Sequence, residues 1–501
     1  MISQVSMGRA AARGAAWAAA ASLLAAPVLA QQTPAQQTAP TPGTVQQVPM
    51  VQPLPAPVPL PVLSPAQATQ LAALLGDAGL AQGLRRVTDP APTPQGSEAV
   101  VRAALDYARA VHSGRLAESD FDENWGLRPA PYDPLPAFAE AVRTDQLARW
   151  VRSLPPPWSG YDGLQRGLVT YRQIVANGGW PTLAKGADLA MGASGARVAA
   201  LRRRLAVEDS AVAPTGDKFD QELKDAVVRA QRRYGLNPTG VVSTGTLAAL
   251  NVPALDRVRQ IMANLERWRW LPETLPAKRI QVNIADARLA VFEGDQVIGS
   301  MKAVTGRPGN ETPMLQSKIH SIVLNPPWNV PAGIAAKELW PKGEAALKAQ
   351  GYKIIGTGAN RRLQQQPGPR SALGLYKFDF DNKYAVYLHD TPSQSTFASF
   401  SRLASHGCVR LEKPGPLAQL LLRNDPAWQP EAIQAALATG KTQRVPLAEQ
   451  DQVAVYLLYW TAFASSDGTM NFRGDPYGWD KTLAAKIEKR AEITSAAVSA
   501  R

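Results

Sequence analysis

The chain has 501 residues, 45% of them hydrophobic, with a formal net charge of +13. That length accommodates about three ordinary domains, and that composition suffices for a packed core and excludes a wholly disordered chain. The positive charge suits an anionic partner such as an acidic cell-envelope polymer or a membrane surface. Nucleic acid is not favoured, because no compact basic block occurs and the densest cluster, Arg202-Arg203-Arg204, reads as a solvated helix face.

In chain order, Arg9 and Arg13 precede an Ala/Leu-rich run from Ala15 to Ala30. A charged segment, an apolar segment and small residues before Gln31 predict a signal peptide over residues 1–30, with an uncleaved membrane anchor as the alternative. Residues 31–64, rich in Gln, Pro and Thr, predict an extended linker that cannot bury a core. Residues 65–187 carry helical spacing, as in Val100, Ala103, Ala104, Tyr107 and Ala108, broken by prolines, and predict a helical scaffold domain.

Residues 188–252 predict a small three-helix unit. One helix follows Gly195 with Val198, Leu201 and Leu205 on its apolar face. A second carries Phe219, Leu223, Ala226, Val227, Ala230 and Tyr234, with Asp217 as the expected N-cap and Gly235 as the stop, and a third short helix runs through Leu247 and Leu250. Residues 253–277 read as a connector helix. Its Arg267-Trp268-Arg269-Trp270 could stack on glycan or membrane, but packing against the next domain is the favoured use.

From residue 278 the period switches to alternation, predicting a mostly β domain over 278–485 and a tail over 486–501. Strands are expected at 279–284, 288–292, 296–304 and 318–324, and a hairpin at 376–380 and 384–388 around Asp381-Asn382. The segment 325–373 interrupts these strands and reads as a capping insertion. The fold class is therefore multidomain α+β, with no cofactor expected.

Chemistry concentrates in Ser405-His406-Gly407-Cys408-Val409-Arg410, with His389 nineteen residues before the cysteine. Cys408 is the single cysteine of the chain. In an exported protein a lone thiol is a candidate nucleophile rather than half of a disulfide, and a nearby histidine is a candidate base. Gly407 permits close backbone approach, so amides around it could face a developing oxyanion. The helix starting at Pro414 would favour the thiolate if its positive end lay near Cys408. A zinc site from His389, Asp390, His406 and Cys408 is disfavoured because only His406-x-Cys408 has close ligand spacing.

His389 followed by Ser405-His406-Gly407-Cys408 resembles the signature of YkuD-type L,D-transpeptidases. Gln231, Tyr234, Gly235, Leu236, Gly240 and Thr246 resemble the pattern of the three-helix peptidoglycan-binding domain. The overall order, with Tyr171-Arg172, Gly178-Gly179-Trp180-Pro181, Asn325-Pro326-Pro327-Trp328-Asn329-Val330-Pro331 and Leu388-His389-Asp390-Thr391-Pro392, is similar to the YcbB-like subgroup. The resemblance implies a β-sandwich enzyme of the periplasm that forms 3-3 cross-links in peptidoglycan through a Cys408 thioester, taking tetrapeptide stems and releasing D-alanine. It implies His389 as general base and acid, the Asp390 carbonyl as its orienter, Gly407 as an oxyanion-hole amide and His406 as loop support. Arg410, Ser405, Trp328 and Asn329 are then substrate contacts, Arg410 by pairing with a stem carboxylate, or else paired structurally with Glu412. Hydrolysis of the thioester, transfer to a protein amine, or mere wall binding are the alternative outcomes.

Overall fold

The computed structural model describes residues 59–84, 96–368 and 370–499. The expected signal peptide and residues 31–58 of the expected linker lie outside them. Among the described residues no helix is long and apolar enough to cross a membrane.

The architecture is α+β: a helical N-terminal region, a small helical unit and a β-rich body. The first helix, Pro65–Ala81, starts from a capping box in which Ser64 and Gln67 satisfy each other's backbone amides. Helices Ser97–Ser113, Leu135–Arg143 and Leu147–Ser153 pack with it around a core of their own, including Leu71, Ala104, Ala108, Val111, Phe138 and Leu147. The helix Ser159–Ala176 turns its Tyr161, Leu164, Leu168 and Tyr171 into the main core instead.

The small unit contains helices Ala196–Ala206, Gln221–Arg233 and Thr244–Leu250. Its second helix starts later than the sequence suggested: Asp220, not Asp217, is the N-cap, its carboxylate accepting from the Leu223 amide at 2.9 Å. The Asp217 carbonyl is committed to the Gly195 amide beside the Ser194–Lys218 bridge, which holds Phe219 buried ahead of the helix. Of the arginine cluster only Arg203 faces solvent. Arg204 is fully buried and pairs with Glu208 at 2.6 Å, and Arg202 is buried and pairs with Asp220. Arg202 and Arg204 serve the fold and do not supply a surface for anions.

The connector helix Ala254–Trp268 is buried along most of its length. Trp268 stacks on Trp460 at 4.5 Å, Arg267 pairs with Asp480, and Arg269 pairs with Glu266 at 3.0 Å with both side chains sealed from solvent. The Arg267–Trp270 segment is thus spent on domain packing and is not free for glycan or membrane.

The β-rich body is a ten-stranded sheet whose hydrogen-bonded path runs from Leu403–Ser405 through Gln296–Gly306, Val409–Leu411, Leu388–His389, Tyr376–Phe380, Leu315–Leu324, Val453–Leu458 and Lys278–Asn283 to Arg288–Glu293. Arg288–Glu293 pairs back onto Gln296–Gly306, so the expected sandwich closes on itself as a barrel. Arg279 to Asn283 alternates polar and apolar residues, yet Arg279–Val282 are buried without a break, as is all of Val453–Leu458, so both strands are covered on both faces. Gln443–Pro446 adds at Leu315–Leu324. The expected strand at 384–388 shrinks to Leu388–His389, because Asn382 folds back through its side chain onto Phe380 O and Val386 O and holds 381–387 as a loop. The chain end also departs from the expectation of a tail, since one helix, Trp479–Ser499, runs across residue 485.

Segment 325–373 forms a separate body with its own apolar cluster of Val330, Ala335, Leu339, Leu347, Tyr352 and Leu363. Strands Trp328–Asn329, Arg362–Gln365 and Tyr352–Ile355 make its sheet. It leaves the barrel at Asn325 and returns at Gly374, both with positive φ (+49° and +59°).

Candidate active site

The strands that carry the chemistry are short and central. Val409–Leu411 lies parallel to Leu388–His389 with Arg410 opposite His389, and antiparallel to Gln296–Gly306 with Arg410 opposite Val304. On the other side of Leu388–His389, Lys377 lies opposite His389. Paired residues share a face of the sheet, and so do residues two apart along a strand. Lys377, Tyr387, His389 and Arg410 are therefore presented together, with Cys408 two residues before Arg410. Direct contacts agree: the Tyr387 and His389 rings lie 5.6 Å apart, and the Lys377 ammonium sits 4.3 Å over the Tyr387 ring.

His389 is 5% exposed. Its Nδ1 lies 2.5 Å from the Asp390 carbonyl oxygen. A carbonyl only accepts, so Nδ1 carries the proton and the neutral ring keeps its lone pair on Nε2. Burial, then the nearby Arg410 and Lys377 cations, push the imidazole pKa down from 6.5 to about 3, against the opposing effect of the Asp390 carbonyl. The resting ring is a neutral base.

Burial also raises the Cys408 thiol, opposed by the Tyr387 backbone and phenol and by Lys377 and Arg410. The expected helix starts at Pro414, after the strand Val409–Leu411. Both shifts favour the neutral forms, thiol on Cys408 and free base on His389.

The turn before the nucleophile is clamped from within. The Ser405 hydroxyl donates to the Cys408 carbonyl at 2.5 Å and accepts from the Gly407 amide at 3.1 Å. Two expectations change here. The Gly407 N–H is already spent, so it is not a free oxyanion donor, and Ser405 is 2% exposed and spent inside the turn, so it does not contact substrate. The Cys408 amide has no hydrogen-bond partner among the described residues and remains available to an oxyanion. Gly407 has φ +114°, which explains glycine at this position.

A second set of groups fixes the turn to the barrel. Thr312 donates to the Gly407 carbonyl at 2.7 Å and accepts from the Gly306 amide at 2.9 Å, while Tyr477 donates to the Gly306 carbonyl at 2.6 Å. A Cβ at Gly306 would stand 2.1 Å from the Asn310 carbonyl, so only glycine lets residues 307–312 fold this tightly beneath the turn.

The remaining candidates fall at three places. Arg410 is half-buried and its guanidinium has no hydrogen-bond or ion-pair partner among the described residues; Glu412 is occupied by the Lys302 amide at 3.0 Å, so the alternative pair with Glu412 is not made. Trp328 of the insertion lies near the Tyr387 phenol and lowers its pKa, against burial, and Asn329 is exposed and accepts from Gln364. His406 Nε2 donates to Glu338 at 2.7 Å, and the Arg307 guanidinium lies 3.2 Å from the same nitrogen without bonding it. The Asp390 carboxylate accepts from the Leu375 and Thr391 amides. The four residues considered for zinc therefore do not converge, and among the described residues no group of His, Cys, Asp and Glu is placed to hold a metal ion.

Sequence reasoning missed Tyr387, Lys377, Thr312, Tyr477, Arg307 and Glu338. Tyr387 was recoverable, standing two residues before His389 on the same strand face. The others come from elements distant in sequence and leave no local signal.

The geometry so far is a cysteine and a buried histidine on a closed β-sheet, with an arginine beside them that has no partner among the described residues. Residues 277–428 match the YkuD family, described as "L,D-transpeptidase catalytic domain". Residues 194–250 match the family "Putative peptidoglycan binding domain", and residues 97–168 match "Scaffold domain". A Haemophilus influenzae protein named "Putative L,D-transpeptidase" is 31% identical over 245 residues, covering 45% of this chain and 49% of that protein. The chain thus spans about half the length of this curated relative. The crystal structure of an L,D-transpeptidase from Stackebrandtia nassauensis aligns at 16% identity over 56% of this chain and 96% of that one, with a TM-score of 0.23. One from Xylanimonas cellulosilytica aligns at 16% identity over 55% and 99%, with a TM-score of 0.16. The chain carries a YkuD-type L,D-transpeptidase catalytic domain together with a peptidoglycan-binding domain.

Proposed function

We propose that the protein is an L,D-transpeptidase of the YcbB-like subgroup, exported to the periplasm behind residues 1–30, that forms 3-3 cross-links in peptidoglycan. The observation that carries this reading is the buried neutral His389, its Nδ1–H held on the Asp390 carbonyl, on the sheet face that also presents Arg410 and leads to Cys408.

In this mechanism the Cys408 sulfur attacks the carbonyl of the third residue of a tetrapeptide stem as its proton passes to His389 Nε2. The tetrahedral oxyanion is met by the Cys408 amide. The imidazolium, made strongly acidic by burial beside Lys377 and Arg410, gives its proton to the amine of departing D-alanine, leaving a thioester. The acceptor amine of a second stem then attacks, loses its proton to His389, and the tetrahedral adduct collapses to the new amide with the proton returned to sulfur. Arg410 holds a stem carboxylate by charge-assisted hydrogen bonds, Trp328 and Asn329 line the approach from the insertion, and the 188–252 unit holds the wall.

Incubation of the full chain with tetrapeptide muropeptides, followed by mass analysis of products, tests this. Release of D-alanine with 3-3 dimers is expected. Tripeptides without dimers would replace the reading with an L,D-carboxypeptidase, and unchanged muropeptides with a wall-binding protein.

A further inference from the structure

Cys408 and His389 belong to the barrel, yet both are tied to the insertion, and neither tie is used by the mechanism above. At its tip, Glu338 bonds His406 Nε2 at 2.7 Å and lies 3.6 Å from Arg307. His406 stands in the turn two residues before the nucleophile, and the Arg307 amide donates to the Ser405 carbonyl at 3.1 Å while its guanidinium reaches His406 at 3.2 Å. Glu338 therefore touches both groups that border the Ser405–Cys408 turn. At its exit, Gly374 packs so closely on the Asp390 carboxylate that a Cβ would stand 2.3 Å from Oδ2, and the Leu375 amide donates to the same oxygen at 2.8 Å. The carbonyl of that aspartate is the one that fixes His389.

The position of Glu338 is set by the insertion, not by the barrel. Its neighbour Leu339 is 5% exposed inside the insertion's own apolar cluster. That body hangs on positive-φ residues at both ends, and Asn325 is anchored through its side-chain amide to the Leu437 and Lys441 carbonyls at 3.0 and 3.2 Å. Such a body can tilt as a unit while its tip contact, made by partly exposed charged groups, forms and breaks at small cost. The Glu338 carboxyl is held below the usual carboxylate range by the His406 hydrogen bond first and Arg307 after it, so the contact is ionic on the glutamate side.

We infer that Glu338 is a positioning residue: seating the 325–373 insertion onto His406 and Arg307 sets the Ser405–Cys408 turn for attack, so the nucleophile is assembled only when the insertion is closed. This rests on the transpeptidase reading for its kinetic arm only. Loosening the turn should slow acyl transfer and at the same time open the half-buried thiol further.

The test compares the full chain with Glu338→Gln, His406→Gln and the double variant in two assays, steady-state turnover of tetrapeptide muropeptide and alkylation of Cys408 by iodoacetamide followed by mass. Glu338→Gln is expected to lower kcat about fivefold with KM changed less than about twofold, and to raise the alkylation rate about fivefold, the scale of a partly exposed ion pair. His406→Gln should do the same, and the double variant should add nothing, because the two side chains act through one contact. Movement of the two assays in the same direction, rates of Glu338→Gln within about twofold of wild type, or multiplying effects in the double variant would overturn the inference. If the wild type does not turn over muropeptides, the transpeptidase reading fails, while the alkylation arm still decides the role of Glu338.

Discussion

At the residue scale the unusual feature is a neutral pair. A thiol raised by burial beside an imidazole lowered to about 3 does not rest as thiolate and imidazolium. Alkylation of Cys408 should therefore keep accelerating through the alkaline range, with no inflection between about pH 4 and 7; a plateau reached below pH 7 would mean a preformed ion pair. The same shift has a stability consequence. His389 binds a proton more weakly folded than unfolded, so its contribution is complete above the unfolded value of 6.5 and is lost as pH falls through the window from 6.5 to about 3. Denaturation of wild type against His389→Gln should show that loss in the wild type alone, with a slope of at most about 1.4 kcal/mol per pH unit. Equal pH dependence in the two would contradict the buried neutral ring. Ser405→Ala, which strands the Gly407 amide, should cost about 1–3 kcal/mol by chemical denaturation.

Cys408 and His389 stood out in the sequence as candidates because a lone thiol, a turn glycine and a histidine lie within twenty residues, and the sheet sets their strands side by side. The engagement of Gly407 was not, because it depends on which way the Ser405 hydroxyl turns. Glu338 was invisible for a stronger reason, since its distance from His406 is set by how the insertion packs. Arg202 and Arg204 misled because a charged triplet on a helix usually faces water, whereas Glu208 and Asp220 here draw both inward.

At the element scale the periodic strands and helices were readable from alternation and spacing. The short central ones were not: Leu388–His389 and Val409–Leu411 are too brief to show a period, and they exist because their neighbours pair with them. These strands owe their setting to the 307–312 loop beneath the turn. Gly306→Ala forces a Cβ to within 2.1 Å of a backbone carbonyl, so that loop and Thr312 must shift. Activity should fall by at least about tenfold, the usual penalty for misplacing a catalytic group. Unchanged turnover in Gly306→Ala would show that the Thr312–Gly407 hydrogen bond does not set the nucleophile.

At the scale of the whole molecule, the small helical unit, the connector helix and the barrel share one continuous core. Arg473 from the barrel side reaches the Arg233 carbonyl and packs on Gly235, and the Glu208 carboxylate, 3% exposed, joins Arg204 to Tyr171 and Tyr234. The small helical unit is therefore a fixed part of the body that carries Cys408. Glu208→Ala leaves Arg204 buried without its partner and should cost about 3–5 kcal/mol, read as a lower midpoint of a single cooperative transition. Separate melting of the two units would contradict a shared core.

The account as a whole depends on Cys408 accepting an acyl group with His389 as its base. Full-length protein mixed with tetrapeptide muropeptide, quenched in acid and digested, should yield an acyl adduct on the Cys408 peptide, formed about a thousandfold more slowly in His389→Gln, within the range typical of general-base catalysis. An adduct on another residue, or one that forms at the wild-type rate without His389, would contradict it.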